Sequence, residues 1–258
     1  MKIHAPLAAE TIFHLGPIPV TNSMLTSALV VILLLVMAWL VTRKMQLIPG
    51  RYQAMWEMVV EFLLDLSVDT AGKKVGRIVF PLIATFFIFI LTANWMGLLP
   101  GIGPSIYVEV AEAAEHGTEI VRVPLFRAAN ADLNMTAAMA LLSITVVQIA
   151  GVAVNGVKGY VKHLASPILL TPVHIVSELS HIISLAARLF GNIFGGEVLV
   201  TVMYSLVPVV VPAVFLGLEV LFGFIQALIF SVLSIVYIAL ATAGGHEENG
   251  EPAHAAAH

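Results

Sequence analysis

The chain has 258 residues, of which 59% are hydrophobic and 11% charged, against roughly 45–50% and about 25% in an average soluble domain. A soluble enzyme, a nucleic-acid binder and a disordered chain all need more polar surface than this, so the composition is that of a polytopic membrane protein. The net charge of −4 says less than the placement of each charge, and with no cysteine present, disulfides, thiolate ligands and thiol nucleophiles are excluded.

The first 22 residues carry Pro6, Pro17, Pro19 and a single Lys. They lack the pattern of a secretory signal or an Arg-rich transit peptide, so the first membrane helix is expected to serve as the insertion signal. Residues 23–42 are an almost unbroken apolar run closed by Arg43 and Lys44, close to the ~20 residues that cross ~30 Å of hydrocarbon. Residues 51–74 differ. Glu57, Glu61, Asp65 and Asp69 recur every fourth position on one helical face, with Met58, Phe62 and Leu66 opposite. This predicts an amphipathic helix on the membrane surface or against a partner. A second span is expected over 78–99, stopped by Pro100-Gly101 and Gly103-Pro104. The polar loop 101–132 follows, then a third span over 133–156. Two much longer apolar stretches, 172–206 and 208–243, complete the transmembrane domain 23–243, and the Ala/His-rich tail 244–258 reads as disordered.

Lys and Arg collect on one set of loops: Arg43, Lys44, Arg51, Lys73, Lys74, Arg77, Lys158 and Lys162. The positive-inside tendency puts these in the cytoplasm and places the N-terminal segment 1–22 and the loop 101–132 outside. Five crossings then leave the C-terminus inside. The last two stretches exceed a simple span, since 35 residues of helix reach about 52 Å. A strongly tilted hairpin is expected, a shape that can wrap something large and round. The fold class predicted is therefore an all-α integral membrane protein with about five membrane helices, the last two a long tilted hairpin, plus one amphipathic surface helix.

Arg188 is the central chemical feature. It lies midway along an apolar helix, and no other Lys or Arg occurs after Lys162. A charge at mid-bilayer costs at least ~2.5–3.5 kcal/mol, and Arg cannot shed its proton to escape that cost. Two readings compete: a structural Arg paired within the chain, or a permanent cation facing an ion path, which the surroundings favour. His174, His181, Ser184 and Asn192 all fall within about 40° of Arg188 at ~100° per residue, as one polar stripe. Glu178 lies on the shoulder of that stripe and Glu197 near the opposite face. On the last helix Glu219 and Gln226 share a face. Asn192 and Gln226 can also be read as helix–helix hydrogen bonders. Carboxylic acids inside a membrane are candidate proton carriers.

His174, Glu178 and His181 form a competing metal-ligand pattern. No HExxH and no fourth ligand accompany it, and Arg188 would repel a divalent cation. The Asn134-Met135-Thr136 sequon sits at the mouth of a span, where Asn134 or Asp132 is better read as a helix cap. No P-loop or Gly-rich nucleotide fingerprint is present, so any coupling to ATP must occur in another chain, and no cofactor is called for.

The string Ser184-Leu185-Ala186-Ala187-Arg188-Leu189-Phe190-Gly191-Asn192, followed by Gly196-Glu197, resembles the subunit a family of F-type ATP synthases, the stator channel subunits of the membrane sector. Asn94-Trp95-Met96-Gly97-Leu98-Leu99-Pro100, Ala131-Asp132-Leu133-Asn134-Met135-Thr136, Gly159-Tyr160-Val161-Lys162, Gln226-Ala227 and Ile235-Val236-Tyr237 agree in order. The resemblance implies a non-catalytic, proton-conducting subunit. Its helices 172–206 and 208–243 would meet a rotating c-ring, and b-type peripheral stalk subunits would be further partners. It implies that Arg188 gates two offset half-channels, with Asn192, Glu197, Glu219 and Gln226 on the aqueous paths. Many members of the family carry an acid at the position of His174, where this chain places Glu178 one turn later; some carry His at the position of Glu219. The absence of a transit pattern and the full-length acidic loop point to a bacterial inner membrane.

Overall fold

A computed structural model describes residues 9–16, 18–43, 45–99, 107–114, 117–165, 171–206 and 210–243. The elements run β1 (Thr11–Leu15), β2 (Ile18–Thr21), α1 (Asn22–Thr42), α2 (Arg51–Gly97), β3 (Tyr107–Ala114), β4 (Gly117–Pro124), a 3-10 turn (Ala129–Ala131), α3 (Leu133–Ala165), α4 (Thr171–Leu206) and α5 (Val210–Ala243). Among the described residues, five helices are long and apolar enough to cross a membrane. The protein is an all-α membrane protein with two small antiparallel hairpins attached, β1–β2 and β3–β4. The tail 244–258 lies outside the described residues.

The hairpins are additions to the sequence expectation. The strand β3 alternates Val108, Glu109, Val110 in the period of two that marks a strand. Its register sets Glu109 against Arg122 and Glu112 against Glu119. That alternation is short and polar, and is easily taken for an irregular loop.

Two helices turn sharply where only glycine fits. Gly72 inside α2 has φ +78° and Gly156 inside α3 has φ +70°. A side chain at either φ would crowd the following carbonyl, whereas glycine has no Cβ to clash. In α2 the chain then doubles back, and Gly76 has no room for a Cβ because the Ser67 carbonyl fills that space. The amphipathic segment of α2 is thereby folded onto its own membrane-spanning half. Glu57, Glu61, Asp65 and Asp69 are all exposed. The stripe that buries is Leu63 and Ser67, with Val59 and Leu66 beside it, while Met58 and Phe62 remain exposed at 69% and 50%. The doubling back selects this stripe, one residue off the one that the acid spacing suggests.

The core is built by α2, α3, α4 and α5. Phe86, Phe87 and Ile90 of α2 meet Met139 and Ala140 of α3, Leu185 and Leu189 of α4, and Ala227 and Phe230 of α5. Phe86 and Phe230 pack edge to face at 5.3 Å. A buried hydrogen bond of 2.8 Å joins Ser143 of α3 to Ser234 of α5, a polar link of the kind that holds helices together in lipid. The first helix stands at the margin. It buries only Asn22, Ser23, Thr26 and Val30, one stripe along its first half. Its remaining apolar surface suits contact with hydrocarbon.

Candidate functional site

Polar side chains gather at the two opposite ends of this bundle. At one end, here the loop end, residues 125–132 insert between the helices. Ala129, Asn130 and Ala131 are fully buried, and Arg127 is only 3% exposed. Several contacts pin this segment. The Asn130 side-chain amide donates to Asn94 Oδ1 at 2.6 Å, and the Asn94 amide donates to the Gly223 carbonyl at 3.0 Å. Trp95 donates to the Val220 carbonyl at 3.1 Å. Asp132 caps α3 by accepting from the Asn134 N–H at 2.9 Å, and its other oxygen accepts from Ser23 Oγ at 2.7 Å. The sequon is therefore a helix start with Asp132 as its cap.

The carboxylates expected from the sequence meet at this end. Arg127 Nε donates to Glu197 at 3.3 Å. The Arg127 guanidinium also lies 5.7 Å from the centre of the Phe194 ring. Glu219 of α5 rests against Gly196 of α4, where an added Cβ would come within 2.5 Å of Glu219 Oε1. Glu197 and Glu219 are thus neighbours across the α4–α5 seam, within range of each other's charge. Gln226 is buried two turns further along α5.

At the other end, here the kink end, Gly156 turns the chain so that Tyr160 comes back over α3. Its ring covers Gly151, and its hydroxyl makes a short hydrogen bond to Gln148 Oε1. Burial, and secondarily the negative charge of Glu178, push the Tyr160 phenol above its usual range, so it remains a proton donor. Glu178 is half-buried, and its Oε2 is a buried oxygen without a hydrogen-bond partner among the described residues. His181 stacks on Tyr237 of α5 at 4.2 Å. The side chain of His174 lies outside the described residues.

Arg188 lies between these two ends and faces neither. The inward face of α4 is Leu185, Ala186, Leu189 and Ile193, all buried. Arg188 points outward with Ser184, Ala187, Gly191 and Gly195, all exposed. Its one hydrogen bond is a long one, 3.5 Å to Ser184 Oγ, and no acid pairs with it among the described residues. A Cβ on Gly191 or Gly195 would meet nothing within 4 Å. No packing inside the chain calls for these glycines, although each costs a helix about 1 kcal/mol relative to Ala. The polar stripe expected on α4 is thus divided. Ser184 and Arg188 face outward, while His181, Asn192 and Glu178 are turned partly into the bundle.

The chain matches the family model described as ATP synthase A chain over residues 24–239. It belongs to that family. It is 38% identical over 229 residues to the ATP synthase subunit a of Moorella thermoacetica, covering 88% of this chain and 94% of that one. It is 33% identical over 233 residues to the ATP synthase subunit a of Legionella pneumophila, covering 90% of each. It is 34% identical over 227 residues to the ATP synthase subunit a 1 of Hahella chejuensis, covering 88% of this chain and 86% of that one. For this family member, sequence reading finds both acids of the loop end but not the cation that pairs with Glu197. Arg127 sits on irregular backbone, where no periodicity reveals its direction, and reads only as one charge of a loop. Tyr160 and Asn94 fall inside strings that carry the family resemblance, but spacing alone does not show that they reach Gln148 and Asn130.

Proposed function

We propose that the chain is the proton-conducting stator subunit of an F-type ATP synthase membrane sector, with Arg188 as the electrostatic gate between two half-channels. The observation that carries this reading is Arg188 itself. It is a permanent cation midway along a 36-residue apolar helix, turned outward, with no acid paired to it among the described residues. Facing lipid, it would cost at least ~2.5–3.5 kcal/mol with no return. Facing a partner that presents a carboxylate in a wet seam, it is attracted instead. The bare surface over Gly191 and Gly195 on the same face supports close approach by the helices of such a partner, a c-ring.

The chemistry is proton transfer without covalent steps. A proton enters at the loop end, on the outer side by the distribution of Lys and Arg, through Glu197 and Glu219. It passes the level of Asn192 and Gln226 and neutralises a c-ring carboxylate. A neutral carboxylic acid can leave Arg188 and turn into lipid; a charged one cannot, because desolvating it is too costly. Carried round on the ring, the carboxylate then gives its proton to the kink end, through His174, Glu178 and His181 in the cytoplasmic half-channel. Arg188, always charged, repels a proton that would cross directly. The lengths of α4 and α5, about 54 Å and about 51 Å at 1.5 Å per residue, suit a tilted hairpin along the ring better than two upright spans. ATP chemistry belongs to other subunits, b-type stalk subunits hold this one in place, and the assembly sits in a bacterial inner membrane with the N-terminus outside.

ATP-driven proton pumping in vesicles carrying Arg188→Ala tests the reading, with assembly checked by co-purification of the c-ring. The expected result is an assembled complex without pumping. Pumping near the wild-type level would make Arg188 an ornament of a structural anchor and remove the support for the channel.

A further inference from the structure

We propose that the cleft between the end of α1 and the start of α2 is a binding site for one anionic phospholipid, with Arg51 at its headgroup and the apolar end of α1 along its acyl chains. None of the residues of this cleft belongs to the proposed proton path.

A cavity of about 530 Å³ opens here, within the ~300–1,000 Å³ of small-ligand sites. Its two sides differ in chemistry. From α1 come Met37, Leu40 and Val41, an apolar wall, and from α2 come Arg51, Tyr52 and Trp56. The turn between the helices is fastened into a rim. The Gln46 backbone N–H donates to Gln53 Oε1 at 3.1 Å, and Gln53 Nε2 donates to the Gln46 carbonyl at 2.9 Å. Both glutamines line the cavity. Specific hydrogen bonds therefore build the cleft, beyond the mere divergence of two helix ends.

Charge decides what fits. No Asp or Glu occurs from Thr11 to Trp56, a stretch that holds Arg43, Lys44 and Arg51. The first acid beyond it, Glu57, accepts from Gln53 Nε2 at 2.7 Å. No acid pairs with Arg51 among the described residues. A guanidinium beside an apolar wall is stabilised by an anion, and its planar fork matches phosphate oxygens. The occupant is a lipid rather than a free anion because the cleft lies at the membrane boundary. Trp39, in the last turn of apolar α1, carries the Arg43 guanidinium over its ring at 4.7 Å, the aromatic and basic pairing of a membrane interface. Met45, Leu47 and Ile48, on the turn between the helices, are large apolar side chains left exposed, which suits hydrocarbon better than water. Basic pockets between membrane helices at such a boundary take anionic headgroups.

The test is photolabelling of the whole complex in bilayers, by phosphatidylglycerol with a photoreactive acyl chain and by phosphatidylcholine with the same chain. Labelled peptides are located by mass spectrometry. Labelling of residues 37–56 is expected to favour phosphatidylglycerol at least about fivefold, the effect of one arginine near an anionic headgroup. The exposed surface of α1 around Leu33 and Leu35 is expected to show a preference under about twofold, as for lipid that merely surrounds the protein. Arg51→Gln should bring the preference at 37–56 below about twofold, and Arg51→Lys should keep at least about half of it. Arg43→Gln removes the same charge from the same turn but not from the cavity, and should change the preference by less than about twofold. Equal labelling of 37–56 by the two lipids overturns the site, an outcome readable in the wild type even where a variant fails to assemble. A loss in Arg43→Gln as large as in Arg51→Gln overturns it too, since the preference is then a general attraction to the surface. So does labelling of 37–56 in the separated full chain but not in the complex, since another subunit then covers the cleft.

Discussion

The two arginines of the membrane region make opposite use of the same side chain. Arg127 is buried on a wedge of loop, paired with Glu197 and stacked over Phe194. Arg188 is exposed on the outer face of α4, with one long contact to Ser184. The first is held by Glu197 and, through its backbone N–H, by Thr26 Oγ1 at the loop end of the bundle. Among the described residues the second has only the long contact to Ser184. An arginine whose charge is satisfied internally stabilises a fold; one left open is available to something outside. The difference teaches that burial and pairing separate a cation whose charge is met within the chain from one whose charge is left facing outward.

The comparison can be broken at several points. The largest expected effect is on function alone. Arg188→Ala should lower pumping more than about 100-fold, while the thermal midpoint of the purified complex moves by under about 2 °C. A large loss of stability would mean that Arg188 is structural after all. Next is Asn94→Ala, which strips partners from the Asn130 amide and the Gly223 carbonyl together. It should cost about 1–3 kcal/mol, seen as a lowered unfolding midpoint. An unchanged midpoint would show that the loop end is not held by its polar network. Gly156→Ala should cost about 1–2 kcal/mol, because alanine at φ +70° is strained. Accessibility labelling at Tyr160 should rise as the kink relaxes, and an unaltered Tyr160 would remove the glycine from the account. The smallest effect is Ser184→Ala. A 3.5 Å contact to an exposed guanidinium is worth under about 0.5 kcal/mol. Pumping should stay within about twofold of wild type, and a larger loss would show that Ser184 orients Arg188 rather than merely touching it.

The chain's apolar composition, its helical spans and the singular position of Arg188 were legible in the sequence, because hydrophobic burial in lipid acts on whole segments and leaves runs that can be counted. A helix cap at Asp132 or Asn134 was legible too, since capping is local chemistry within three residues, and the structure chose Asp132. The burial of Leu63 and Ser67 in place of Met58 and Phe62 was decided by the reversal at Gly72, which no periodicity within the helix records. The pairing of Arg127 with Glu197 joins residues 70 apart in sequence, and Asn94 reaches the Gly223 carbonyl across 129. Such contacts depend on where an irregular segment is wedged among helices, and side-chain direction on irregular backbone has no period to read. Sequence alone determined that a permanent cation lies within the membrane. Only the tertiary structure decided that Arg188 faces out and Arg127 faces in, because that choice is made by which side of α4 the core of Leu185, Leu189 and Phe230 occupies.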